Sequence, residues 1–124
     1  DRGWDPEYGG LLYFVDVEGK PPLQLEHDQK LWWPHSEAMY ATLLAYHLTG
    51  EQRYAAWYER VHDWAMSHFP DKQYGAWLKY CHRDGRLCST VKGNAWAGPF
   101  HVPRMQLYCW KLLDEMLAGS AGQA

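Results

Sequence analysis

The chain has 124 residues, the length of one ordinary domain, with 47% hydrophobic and 22% charged residues and a net charge of −3. It has no basic run or stripe, which argues against nucleic-acid binding through phosphate neutralisation, and no apolar run near the roughly 20 residues that span a bilayer. Eight Trp and nine Tyr against three Phe suit surfaces that are part apolar and part hydrogen-bonding; a sugar site is one such surface, an aromatic core the plainer alternative.

Residues 4–20 open with turn chemistry at Asp5-Pro6 and Gly9-Gly10, followed by a β-prone run from Leu11 to Val15 and a second turn at Glu18-Gly19. Residues 21–29, with Pro21-Pro22, read as a loop. Pro34 opens a helix predicted to run to about Leu48 and stop at Gly50, with Ala38, Ala41, Ala45 and Leu48 on one face and Leu44 beside them. A second helix is predicted from about Glu51 to His68, where Tyr54, Trp57, Tyr58, Val61, Trp64 and Ala65 follow amphipathic spacing. The short gap between the two predicts an αα-hairpin.

The opening motif then returns. Asp71-Lys-Gln-Tyr74-Gly75 matches Asp5-Pro-Glu-Tyr8-Gly9, and Asp84-Gly85-Arg86 matches Glu18-Gly19-Lys20. Asp71 follows Asp5 by 66 residues, and the same offset carries His35 onto His101. Each copy reads as a turn, a short hairpin, a loop and a Pro-started helix, the last predicted from about Pro103 to Leu117 with Met105, Tyr108, Cys109, Leu112, Leu113 and Met116 as its apolar stripe. Repeated helix pairs predict an all-α toroid with short β-hairpins, in which each unit buries its faces against neighbours. No secretory leader is recognisable. The start at Asp1, inside a turn-like stretch, reads as a piece of a longer chain.

Cys81, Cys88 and Cys109 are odd in number and form no CxxC pair, which suits a reducing, cytoplasmic setting. Cys81, His82 and Cys88 are candidate metal ligands, but a closed zinc site needs a fourth, and no metal is expected. In Lys92-Gly-Asn-Ala-Trp-Ala-Gly-Pro-Phe-His-Val-Pro-Arg104, Pro103 suits a first helical turn, which places His101 just outside the helix and Arg104 in its first turn. Glu37 occupies the first turn of the Pro34 helix. It is a candidate to accept from sugar hydroxyls or to orient a histidine, with a simple helix-start role as the rival. Arg104 can donate to sugar oxygens, stabilise a developing oxyanion, or merely pair with a carboxylate. Trp33 and Trp96 can stack on a sugar's C–H face.

Lys30-Leu-Trp-Trp-Pro-His-Ser-Glu-Ala38, Trp4-Asp-Pro-Glu-Tyr-Gly-Gly10 and Phe100-His-Val-Pro-Arg104 closely resemble the N-acylglucosamine 2-epimerase family, whose mammalian members are also called renin-binding protein. The resemblance covers essentially the whole chain and matches the C-terminal third of such an enzyme. It implies the C-terminal portion of an (α/α)6 barrel, so that residues 1–124 form an incomplete part of a single domain, about two αα repeats. It also implies interconversion of N-acetyl-D-glucosamine and N-acetyl-D-mannosamine by proton removal and return at C2, while relatives act on cellobiose or mannose. It puts His101 in the catalytic set; on the chemistry of their side chains Glu37 is expected to join it, with Arg104, Trp33, Trp96 and His35 around the substrate and His35 as a positioning rather than a proton-transferring group. Further implications are no required cofactor, ATP activation in some members, a homodimer, and a second catalytic histidine and a sugar-binding arginine from upstream of Asp1. The isolated chain is therefore expected to be inactive, and no phosphate-binding glycine loop stands in it. Two rival readings remain at this level. A glycoside hydrolase wants two carboxylic acids and leaves His101 without a role. A non-catalytic interaction module would use the aromatic residues at a protein interface.

Overall fold

A computed structural model of the chain describes residues 1–121, in the order β1 (Gln29–Leu31), α1 (Trp32–Thr49), α2 (Gln52–His68), β2 (Tyr80–His82), β3 (Leu87–Ser89) and α3 (His101–Ala121). The fold is mostly helical with one small antiparallel sheet of order β1-β2-β3. Among the described residues no helix is long and apolar enough to cross a membrane.

The predicted αα-hairpin is present. Gly50 closes α1 in the left-handed region (φ 70°), and its N–H reaches back to the Tyr46 carbonyl at 2.8 Å. The face that α1 buries differs from the alanine face expected. Trp32, His35, Ser36, Met39 and Leu43 point inward, whereas Ala41 and Leu48 are exposed. Two polar residues can occupy that face because each is satisfied there: Ser36 Oγ donates to the Trp32 carbonyl at 3.0 Å, and both ring nitrogens of His35 are bonded. Val61, Trp64 and Ala65 of α2 and Met105, Cys109 and Leu112 of α3 complete a core with Phe69, Trp77 and Cys81.

The helix starts also shift. α1 begins at Trp32 and α3 at His101, so Pro34 and Pro103 are each the third helical residue, where the missing N–H still has no intrahelical partner to lose. His101 therefore opens α3 instead of lying outside it.

The 66-residue repeat is physical in its turns. Asp5 N–H bonds Gly10 O at 2.9 Å and Gly9 N–H bonds Asp5 O at 3.0 Å, while Asp71 N–H bonds Ala76 O at 2.9 Å and Gly75 N–H bonds Asp71 O at 3.0 Å. Isolated bridges join Trp4 to Leu11 and Pro70 to Trp77. In both copies the aspartate's Oδ1 also accepts from the backbone two and three residues on. A lysine braces each turn from a different sequence position. Lys30 Nζ pairs with Asp5 at 3.0 Å and donates to Gly9 O, and Lys92 Nζ pairs with Asp71 at 2.6 Å and donates to Gly75 O at 2.8 Å.

The hairpin after the turn forms only in the second copy. β2 and β3 pair there, but the predicted run Leu11–Val15 makes one bridge and no strand. The residues equivalent to β3 are Pro21, Pro22 and Leu23, and two prolines remove the donors that a returning strand would need. β2 finds its second partner in β1, of which only Gln29 falls in the stretch expected to be a loop.

Candidate active site

The start of α3 packs beside the first turns of α1, and this brings together three of the residues singled out from the sequence. The Glu37 carboxylate lies between His101 and Arg104, with His101 Nδ1 2.7 Å from Oε1 and Arg104 Nη2 donating to Oε2. All three side chains are about 30% exposed, so the cluster is sheltered yet reachable. Against an ionised carboxylate, Nδ1 is the nitrogen that carries hydrogen, which leaves the Nε2 lone pair free to take a proton. Nε2 makes no hydrogen bond to the described residues.

Burial, and then the Lys79 ammonium, hold the His101 pKa below the ordinary value of 6.5. Glu37 favours the imidazolium, but Arg104 shares its charge. The result is a ring that is neutral at pH 7 and still oriented by a carboxylate. Trp33 lies against it, with ring centroids 5.6 Å apart at a tilt of 34° and Tyr13 edge-on behind.

Arg104 is therefore committed to Glu37. Its guanidinium also sits over the Phe100 and Tyr40 rings, at 5.3 and 5.7 Å, and its Nε is buried without a hydrogen-bond partner among the described residues. This is the carboxylate-pairing role, in place of a donor set aside wholly for sugar oxygens.

His35 does not join the cluster. It is fully buried, stacked on Trp64 at 4.7 Å and edge-on to Phe69. Its Nδ1 donates to Leu31 O at 2.7 Å and its Nε2 accepts from Leu11 N–H at 2.9 Å, so no nitrogen remains for a ligand. Burial pushes its pKa down to about 4, and it stays neutral. The expected place beside the substrate is corrected: His35 ties the first turn to α1. Trp96 is 88% exposed, in a loop fixed by Asn94, whose Oδ1 accepts from Trp96 N–H at 2.9 Å.

The sequence reading passed over Lys79. Trp77, Lys79 and Cys81 alternate with more exposed residues and are 6%, 7% and 0% exposed, so the lysine points inward on a strand-like stretch. That period-2 pattern was the signal available. Cys81 is buried, with its thiol pushed up to about 11, and among the described residues no group of three His, Cys, Asp or Glu side chains is placed to hold a metal ion.

Residues 1–102 match the N-acylglucosamine 2-epimerase (GlcNAc 2-epimerase) family, and the chain belongs to that family. It is 46% identical over 116 residues to the N-acylglucosamine 2-epimerase of Bos taurus, an alignment covering 94% of this chain and 28% of the relative. Among solved structures it resembles a cellobiose 2-epimerase from Spirochaeta thermophila, with a TM-score of 0.72 and 27% identity, over 87% of this chain and 26% of that one. A D-mannose isomerase shares the fold at a TM-score of 0.77 and 24% identity, covering 92% and 28%. The chain thus spans little more than a quarter of the length of these relatives.

Proposed function

We propose that the protein containing this chain is a carbohydrate 2-epimerase that interconverts N-acetyl-D-glucosamine and N-acetyl-D-mannosamine, with His101 as one of its two proton-transfer groups. The observation that carries this reading is the Glu37 carboxylate bonded to His101 Nδ1, which directs a neutral Nε2 outward. In the open-chain sugar the C1 carbonyl acidifies the C2 proton. Nε2 takes that proton, the C–H electrons form the C1=C2 bond of an enolate whose C2 carries the acetamido group, and a second group on the opposite face returns a proton to C2. Glu37 stabilises the imidazolium formed midway and keeps the ring from turning. The chemistry is proton transfer alone and needs no cofactor.

The second group is placed in the part of the protein outside this chain, a reading supported by the 28% coverage of the bovine relative. We place this chain as the C-terminal portion of an (α/α)6 barrel. A glycosidase reading is disfavoured because Glu37 is tied to both a histidine and an arginine and is not poised to donate a proton. The test is turnover of the two N-acetyl sugars, with mannose and cellobiose as competitors, by the full-length protein and its His101→Asn variant. The variant is expected to lose about 10²–10⁴-fold in kcat while still binding sugar. Undiminished turnover removes His101 from the mechanism.

A further inference from the structure

The mechanism above leaves one requirement unmet: as the C2 proton leaves, negative charge builds on the C1 oxygen and needs a positive partner. Arg104 is a poor provider, because its Nη2 is bonded to Glu37. The described residues hold another cation close by. Lys79 is 7% exposed, yet its ammonium makes no hydrogen bond and no ion pair among them. Its Nζ rests 5.0 Å over the Trp32 ring, and its carbonyl accepts from Trp32 N–H at 3.2 Å. Trp33, the next residue, carries His101 against its own ring. Lys79 and His101 therefore flank the two tryptophans that open α1.

Lys79 also lines a cavity of about 660 Å³, whose walls include Val102 and Pro103, the residues that follow His101. That volume accommodates a monosaccharide. The other charges on the wall, Asp71 and Lys92, neutralise each other at 2.6 Å, so Lys79 is its uncompensated charge. A buried ammonium resting on an aromatic face stays costly until an anion reaches it. With nothing to offset its desolvation, its pKa lies below the ordinary lysine value.

We infer that Lys79 is a further catalytic residue of the epimerase, its ammonium facing the C1 oxygen as that oxygen becomes the enolate O⁻. This inference rests on the epimerase reading. The bookkeeping is that of a proton transfer: the C2 proton goes to His101 Nε2, the C–H pair becomes the C1=C2 bond, and the carbonyl pair moves onto O1 beside Lys79. Reprotonation at C2 reverses the electron flow, and Lys79 keeps its proton throughout.

The test uses the full-length protein, Lys79→Met and Lys79→Arg, and two probes. One is an enolate mimic that a site cation can bind as its anion, the hydroxamate of N-acetylglucosaminic acid; the other is the neutral open-chain alditol, N-acetylglucosaminitol. Lys79→Met is expected to lower kcat about 10²–10³-fold with little change in KM, and Lys79→Arg to recover part of the loss. Lys79→Met is also expected to weaken the hydroxamate at least tenfold and leave the alditol within twofold, a split that a merely structural lysine does not produce. Equal weakening of both probes, or wild-type kcat in Lys79→Met, overturns the inference. Absence of turnover in the unmodified protein fails the epimerase reading itself and is thereby told apart.

Discussion

Glu37 spends one oxygen on His101 and the other on Arg104, and in the proposed mechanism this division decides how the base behaves. A carboxylate with its full charge on the ring would raise the histidine's pKa and leave it protonated at pH 7. Shared with Arg104, and opposed by burial and Lys79, it orients the ring without making it an obligate cation. In the full-length protein Glu37→Gln is expected to lower kcat about 10–100-fold through loss of orientation, as when the partner of a working histidine is removed. The pH profile checks the same point. Because His101 must be neutral to accept a proton, kcat/KM falls as pH drops through its pKa, with a midpoint below 6.5 and a plateau by pH 7. Glu37→Gln removes the group favouring the imidazolium, so the midpoint moves lower still. A midpoint that rises in the variant contradicts the assignment.

At the scale of elements, two copies of one turn sit in different surroundings. Asp5 and Lys30 are both fully buried and lie 3.0 Å apart, with Arg83 Nε 2.8 Å from the same carboxylate. Burial alone would raise the Asp5 pKa. Arg83, the Glu7 and Tyr8 N–H groups and Lys30 together hold it well below the usual carboxylate range. Asp71 makes the equivalent turn with its pair to Lys92 partly open to water. Asp5→Asn strands a buried ammonium and is expected to cost about 3–5 kcal/mol, whereas Asp71→Asn is expected to cost about 1 kcal/mol or less. Urea unfolding of the two variants reads the difference, and equal losses would show that burial does not set these energies. The turns, the αα-hairpin and α3 were legible because their signals are local: Asp-x-x-Tyr-Gly, Gly50 and 3.6-residue spacing. The buried face of α1 was not, because alanines and leucines outvote His35 and Ser36 until their hydrogen-bond partners are known. The missing first hairpin was readable from Pro21-Pro22, since proline cannot supply ladder donors.

For the whole molecule, the WWPHSEA and FHVPR segments pointed to residues that the structure brings together, because Glu37 and His101 come from helix starts that pack side by side. The commitment of Arg104, the removal of His35 to the core and the inward turn of Lys79 needed the three-dimensional structure. α3 also presents Leu107, Trp110 and Leu117 to solvent, with Phe100 exposed just before its start, as an apolar stripe. With one proton-transfer group of two, the isolated 124-residue chain is expected to show no epimerisation, a result read by chromatography of N-acetylglucosamine incubated with it. Detectable conversion would mean that both faces of C2 are served from within these residues.

The most direct test of the account is exchange at C2. The full-length protein is incubated with N-acetyl-D-mannosamine in D2O, and the C2 proton signal is followed by NMR. The account predicts solvent deuterium at C2 of the N-acetyl-D-glucosamine formed, and a rate of incorporation reduced about 10²–10⁴-fold by His101→Asn. Deuterium entering C2 at the wild-type rate in that variant would contradict it.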